Sequence, residues 1–334
     1  MIDPIEPFVP LRAYPLPLDQ IREHIREHAG KESVRGHYAT RALMAVVAGV
    51  IRALSWEAAY RLGGAIGSVL SRLRVRWAVA KVNLDIAFGD SKTDAEKAAI
   101  YRASLKNLGR QIVNYIRMPL MDDRFWAENF TIENEHVLRD AYNQGRGVVF
   151  VYMHFGPWEM AGGKIAHLGY PLSVVAKTMK NPIVNRFLLD ARESMLLGSI
   201  RHRDAMPRIL AGLRGGEGIV MVIDQNMKRS QGVFVEWMGR VASTVRSASW
   251  LAREAGAPVI TGVARQTGPK SFEMKMLEEI PWRPHPDPAE ELVVNTRNYV
   301  RVLERSIYEM PEEWFWLNRR WKVQPDGVES PYRP

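Results

Sequence analysis

Cysteine is absent from the 334-residue chain, so disulfides, thiolate metal sites and a thiol nucleophile are excluded together. Long apolar runs are missing as well. The most apolar stretch of the N-terminal half, Ala42 to Ile51, holds ten uncharged residues before Arg52, against the roughly 20 that span a bilayer. The first eighteen residues place Pro4, Pro7, Pro10, Pro15 and Pro17 among acids and apolar residues, without the charged-then-apolar layout of a secretory leader, and no export signal is expected. Acids are in deficit: 37 Asp and Glu face 46 Lys and Arg, a formal net charge of +9. That surplus, with a sequence pI near 9.7, points to an anionic partner such as phospholipid headgroups, an acidic carrier protein, a phosphorylated ligand or nucleic acid. Internal repeats and low-complexity tracts are also lacking.

What is present describes a folded globular protein, 46% apolar and 25% charged, with enough chain for one large domain or two ordinary ones. Residues 1–40 read as a Pro-rich and polar N-terminal extension, 41–82 as an apolar and basic segment, and 83–334 as the main domain. In the middle segment, Ala53 to Leu70 continues the apolar pattern with only Glu57 and Arg61 as charges, and Arg72, Arg74, Arg76 and Lys81 follow. An apolar helix closed by cations suits a membrane interface, so a membrane-associating helical layer is expected; a buried core helix is the alternative.

Lys92 to Met118 has acids early, bases later and apolar residues at three- and four-residue spacing, which predicts a helix. From Gly147 the character changes. Val148-Val149-Phe150-Val151-Tyr152 reads as a strand buried on both faces, and similar runs recur at Leu172–Ala176, Gly218–Ile223 and Pro258–Ala264. Helix-like stretches separate them, at Asn185–Leu197, Ala205–Arg214 and Ser243–Ala255. This alternation predicts an α/β fold with a mixed, largely parallel central sheet flanked by helices. Phe272–Leu277 is expected as an edge strand and Pro281–Pro288 as loop.

The chemistry is expected where the first strand ends, in Met153-His154-Phe155-Gly156-Pro157-Trp158-Glu159. In α/β sheets ligands gather at strand C-termini. A Gly-Pro turn followed by a helix start lets Glu159 fold back toward His154. A carboxylate on one imidazole nitrogen fixes the tautomer and leaves the other nitrogen to take a proton from a hydroxyl.

Several separated blocks accompany this motif: Asn83-Leu84-Asp85-Ile86-Ala87-Phe88, Asn107-Leu108-Gly109, Asn181-Pro182, Asp224-Gln225, Gly232-Val233-Phe234-Val235 with Gly239, Thr244 to Val259, and Pro311-Glu312-Glu313-Trp314-Phe315-Trp316-Leu317-Asn318-Arg319-Arg320-Trp321-Lys322. In order and spacing they resemble the lipid A biosynthesis acyltransferases, a lauroyl and myristoyl transferase family related to bacterial lysophospholipid acyltransferases. The resemblance runs from about residue 80 to the C-terminus and implies a glycerolipid-acyltransferase-like fold. It also implies acyl transfer from acyl carrier protein, or less often a CoA thioester, to a hydroxyl of a membrane lipid at the cytoplasmic face of the inner membrane. The family's His-x4-Asp/Glu dyad falls on His154 and Glu159, which makes His154 the general base and Glu159 its orienting acid.

Without cysteine a thioacyl-enzyme is excluded, so direct transfer is expected. Oxyanion donors are expected from backbone N–H groups around Gly156 and the helix that follows, with Lys177 and Arg192 as basic helpers. Gly156, Trp158, Lys177, Arg192, Asp224, Gln225, Arg319 and Arg320 make up the expected substrate-binding set. Asp224 ends a strand and either lines the site or caps a turn, and Asp224-Gln225-Asn226 departs from the family's Asp-Gln-Asp at its third residue. Arg319, Arg320 and Lys322 interleave with Trp314, Trp316 and Trp321, which reads either as a membrane-interface belt or as core aromatics with surface bases. His136, His167, His202 and His285 have no metal-ligand spacing, and no metal or diffusible cofactor is expected; the acyl thioester is the co-substrate.

The acceptor reads as a lipid A precursor, with phosphatidylinositol mannoside, ornithine lipid or lysophospholipid as alternatives in the same family. A non-catalytic basic membrane-surface protein is the alternative of another class. Nucleic acid is not expected, since the bases are scattered along the chain.

Overall fold

The computed structural model describes residues 14–28, 38–202 and 205–332; the expectations for Pro4, Pro7 and Pro10 lie outside the described residues. Among the described residues four helices come first, α1 (Leu18–His28), α2 (Tyr38–Ala53), α3 (Trp56–Arg72) and α4 (Trp77–Phe88), followed by the long α5 (Asp94–Arg117) and short α6 (Asp123–Asn129). Strand β1 (Phe130–Glu133) and helix α7 (His136–Tyr142) precede an alternating unit: β2 (Val148–Tyr152), α8 (Trp158–His167), β3 (Leu172–Ala176), α9 (Pro182–Ser194), β4 (Leu197–Arg201), α10 (Ala205–Arg214) and β5 (Gly218–Val222). A hairpin of β6 (Gly232–Trp237) and β7 (Arg240–Val245) leads to α11 (Ser247–Ala255), β8 (Val259–Ile260), β9 (Gly262–Gln266), β10 (Phe272–Met276) and α12 (Pro288–Glu309).

The central sheet has the order β4-β3-β5-β2-β8 and every pairing in it is parallel. Helices cover both faces, which is why β2 is apolar without alternation. Val148, Phe150 and Tyr152 point into the core shared with Met160 and Ile165 of α8. Val149 and Val151 point into the opposite core, with Ile209 and Leu213 of α10 and Tyr299 and Leu303 of α12. A second sheet, β1-β10-β9, adds one parallel and one antiparallel pairing, so the mixed, largely parallel α/β architecture expected from the sequence is the one observed.

The differences have local causes. The run Ala42 to Leu70 is two helices, because Ser55 caps α3 by accepting from the Ala58 N–H at 3.2 Å. Pro258–Ala264 divides at Thr261 into β8 and β9, which belong to different sheets. Phe272–Leu277 is no edge strand: β10 is the middle of its sheet, because the four-residue β1, too short to read as a strand, covers its other side. The expected helix Asn185–Leu197 ends at Ser194, and the left-handed Leu196 turns the chain into β4. Ser243–Val245 is the end of β7, and the helix begins only at Ser247.

The N-terminal layer also divides. Helix α3 buries Ala59, Gly63 and Gly67 against α5, whereas α2 leaves Leu43, Val46 and Val50 at least 60% exposed. Among the described residues no helix is long and apolar enough to cross a membrane.

Candidate active site

The parallel register of β2 and β5 builds the site. Tyr152 is paired with Val222, so His154 and Asp224, each two residues further on, emerge side by side at the C-terminal edge of the sheet. Asp224 is buried and accepts three hydrogen bonds: from the His154 ring through Nδ1 at 2.8 Å, from the His154 backbone N–H at 2.9 Å, and from Trp314 Nε1 at 2.9 Å. An ionised carboxylate only accepts, so Nδ1 carries the proton and Nε2 is the nitrogen left for chemistry. The Gln225 amide donates to Nε2 at 3.2 Å. Burial disfavours both charges, but the mutual attraction and hydrogen bonds of the pair outweigh it, raising the His154 pKa above its ordinary value and lowering that of Asp224.

The expected contact between Glu159 and His154 is not the one observed. The carboxylate that orients His154 is Asp224, while Glu159, in the first turn of α8, is gripped at both oxygens by Arg192 of α9 at 2.6 and 3.0 Å. Among the described residues Glu159 makes no hydrogen bond to His154. The fork of Arg192 matches a carboxylate, and Glu159, partly buried beside it, holds the guanidinium pKa above its usual range against the cost of burial.

The loop between β2 and α8 is stitched to the C-terminal segment. Gly156 donates to the Glu313 carbonyl at 2.9 Å, and Phe315 donates to the His154 carbonyl at 3.0 Å. Gly156 has φ +53°, and a Cβ there would collide with the Ala264 carbonyl oxygen, so the turn requires glycine. Because its N–H is engaged, Gly156 is not the free oxyanion donor expected. The first turn of α8 has no side-chain cap; its Trp158 N–H donates to the Gly156 carbonyl at 3.0 Å, which leaves the N–H groups of Glu159 and Met160 as the next backbone donors of that turn.

A cavity of about 790 Å³ opens at His154 and runs between the sheet and helices α8 and α9. Trp158, Glu159, Lys177, Arg192 and Gln225 line it with His154; Trp158 meets the imidazole edge-on at 5.3 Å, and Lys177 is exposed. Phe150, Leu172, Val174, Leu188 and Val220 make its walls apolar.

Arg319 and Arg320 are not among the lining residues. Arg320 is fully buried, donates to the Ser243 carbonyl at 2.8 Å and to Thr244 Oγ1, and lies over the Trp237 ring; burial pushes its pKa down to about 10. Arg319 lies 5.9 Å over the Tyr332 ring. Trp314, Trp316 and Trp321 are each at most 2% exposed, so of the two readings of this segment the core one is observed for the aromatics. Asn226 accepts from the Val323 N–H at 2.8 Å, a structural tie at the position that departs from the family pattern. Among the described residues no group of His, Asp and Glu is arranged to hold a metal ion.

Fold and site together describe an α/β enzyme whose carboxylate-backed imidazole opens on a long apolar cavity. The chain belongs to the bacterial lipid A biosynthesis acyltransferase family, whose sequence profile matches residues 28–323. It is an acyltransferase, and the family transfers acyl groups to lipid. It is 26% identical to the lipid A biosynthesis lauroyltransferase of Escherichia coli, over 84% of this chain and 90% of that one. It is 23% identical to the palmitoleoyltransferase of the same organism over 81% and 87%. A phosphatidylinositol mannoside acyltransferase of Mycolicibacterium smegmatis is 28% identical over 47% of this chain and 53% of its own.

Proposed function

We propose that the chain moves a fatty acyl group from an acyl thioester, acyl carrier protein in preference to CoA, to a hydroxyl of a lipid A precursor, with His154 as general base. One observation carries this reading: His154 Nε2 faces an apolar cavity while Nδ1 is held by the buried Asp224.

In the proposed reaction Nε2 takes the proton of the acceptor hydroxyl as its oxygen attacks the thioester carbonyl carbon. Asp224 stabilises the imidazolium through the Nδ1–H bond, and the first turn of α8 supplies N–H groups to the oxyanion. Collapse of the tetrahedral intermediate breaks the C–S bond, and the leaving sulfur takes the proton back from Nε2. Glu159 and Arg192 act as positioning residues that tie α8 to α9 at the cavity mouth. Lys177, at the exposed end of β3, is suited to phosphate of the acceptor or of the donor's carrier.

Attachment at the cytoplasmic face of the inner membrane is part of the same proposal. The exposed apolar residues of α2 and the exposed Arg72 and Arg74 suit an anionic bilayer surface. Of the remaining expected cations, Arg76 donates to the Leu317 carbonyl at 2.7 Å and Lys81 is paired with Asp85 and Asp94. The last turn of α2 is bolted to the end of α5, where Arg117 donates to the Ile51 and Leu54 carbonyls, and Tyr115 there meets Phe187 of α9 at 6.4 Å. That chain of contacts keeps α2 near the helix that walls the cavity.

The test measures thiol release and lipid mass with acyl carrier protein and CoA donors and a phosphorylated glucosamine disaccharide lipid as acceptor. The expected product gains one acyl chain, and His154→Ala loses the activity. Equal inertness of wild type and His154→Ala with every donor and acceptor overturns the proposal; acylation of a mannosylated or glycerol-based lipid instead reassigns the acceptor.

A further inference from the structure

The cavity has a closed end as well as a mouth, and the closing piece comes from outside the sheet. Its lining follows β3 from Ala176, near the mouth, to Leu172, a five-residue strand of about 16 Å, and reaches Leu197 at the start of β4. Those are the N-terminal ends of the strands, opposite His154. There Ile25 of α1 joins the lining, while Ile21, fully buried one turn earlier, packs into the core that holds Leu172, Leu197 and Met160.

Helix α1 is fixed to this foot of the sheet at four points. Tyr14 donates to the Gly216 carbonyl at 2.8 Å, the Leu16 N–H donates to the Gly169 carbonyl at 2.7 Å, and Arg22 pairs with Asp123 at 2.6 Å. The fourth is His24 Nε2, 3.3 Å from Glu217 Oε1. Glu217 is 2% exposed and also accepts from Arg208, at 2.8 Å, and from Ser173, two residues that line the cavity. Gly169, with φ +89°, leaves no room for a Cβ against the Leu16 carbonyl, so the receiving turn is shaped to its occupant. Both Ile21 and Ile25 precede residue 28, where the match to the family begins.

We infer that α1 is the end wall of the acyl cavity and that Ile25 sets the longest acyl chain the enzyme accepts. The reasoning is steric and rests on the acyl-transfer reading of the cavity. A chain whose thioester carbon sits at His154 extends toward the foot of the sheet, and each methylene beyond the available depth has to displace α1 from its buried seat. One methylene at an apolar wall is worth roughly 10- to 200-fold in discrimination. The bulk at position 25 therefore acts on the end of the chain and not on the reacting carbonyl.

The experiment compares kcat/KM for a series of saturated acyl donors, differing by two methylenes and offered both as acyl-carrier-protein and as CoA thioesters, in full-length wild type, Ile25→Ala and Ile25→Phe. The readout is the ratio between the longest donor that wild type uses well and the next shorter one. Ile25→Phe is expected to lower this ratio about tenfold or more, and Ile25→Ala to raise it and admit the next longer donor. A loss of stability would move both variants the same way, so opposite displacements are the signature of the wall. A parallel readout free of the acceptor is the shift in Tm produced by free saturated fatty acids, whose most stabilising length should fall in Ile25→Phe and rise in Ile25→Ala. Wild type with a sharp length preference that neither variant moves overturns the inference while leaving acyl transfer intact. Wild type inert with every donor, and not stabilised by any fatty acid, removes the acyl-transfer reading itself.

Discussion

Strand β5 has a buried carboxylate just beyond each end, Glu217 before its first residue and Asp224 two residues after its last, and the two are put to different uses. Glu217 is saturated: Ser173, Arg208 and His24 occupy its oxygens, and although burial opposes the charge these partners hold its pKa down at about 2. Asp224 is equally enclosed, yet one of its partners is an imidazole whose far nitrogen opens on the cavity. On the proposed mechanism, a buried acid becomes part of a reaction centre through a partner whose far nitrogen, held among the described residues only by the exposed Gln225 amide, meets the cavity. The Glu159–Arg192 pair teaches the same lesson beside the mouth, since both of its members are used up on each other.

Removing the working partner should have the largest effect. His154→Ala is expected to lower kcat on the order of 10³-fold, the range of general-base catalysis, in steady-state thiol-release assays with the far-UV spectrum unchanged. Asp224→Asn should lower kcat by roughly 10² to 10³, because an amide no longer fixes the reactive tautomer. The double variant should be little worse than His154→Ala, as residues acting as one unit are not additive. Glu159→Gln sharpens the contrast: it should cost at most about tenfold in kcat but about 1–3 kcal/mol in stability by denaturant unfolding, because Arg192 loses a charged partner. If Glu159→Gln cost as much kcat as Asp224→Asn at unchanged stability, the two acids would exchange roles.

The pH dependence should separate the ends of β5. With its pKa raised, His154 is neutral only above the ordinary imidazole value of 6.5, so kcat should fall as pH drops through the raised value. In Asp224→Asn that limb should move to lower pH. In stability the His154–Asp224 attraction is fully present below 6.5 and is lost as pH rises through the folded-state value. Glu217 acts in the opposite direction. Its contribution is present above the ordinary value of 4.5 and is lost as pH falls toward about 2, so Glu217→Gln should flatten acid unfolding in that window.

Much of this was legible in the chain. Leu172–Ala176 and Ala205–Arg214 fall where their composition places them, and His154 stands at the end of an apolar run that only a two-faced sheet can bury. The partner of His154 was less accessible, because five residues of sequence separate it from Glu159 and seventy from Asp224. Neighbouring strands, a fact of topology, bring the distant acid closer than the local one. The signal was present in a weak form: Asp224 directly follows the apolar run Gly218–Ile223, as His154 nearly follows its own. Trp314, Trp316 and Trp321 left two readings open for another reason. Spacing of aromatics among arginines is the same for a surface belt and for a core segment, and only the burial of all three rings decides between them. Ile25 carried no motif at all.

The stitching of the His154 loop to residues 313–315 also has a temporal meaning. During synthesis the imidazole is made long before the indole that steadies its acid, so a partly translated chain can collapse around its sheet while the proton acceptor is still unaligned. On the proposed mechanism the alignment of His154 is complete only once Trp314 has docked on Asp224, and truncation before residue 313 is expected to cost the chemistry together with the core that Trp314, Trp316 and Trp321 build.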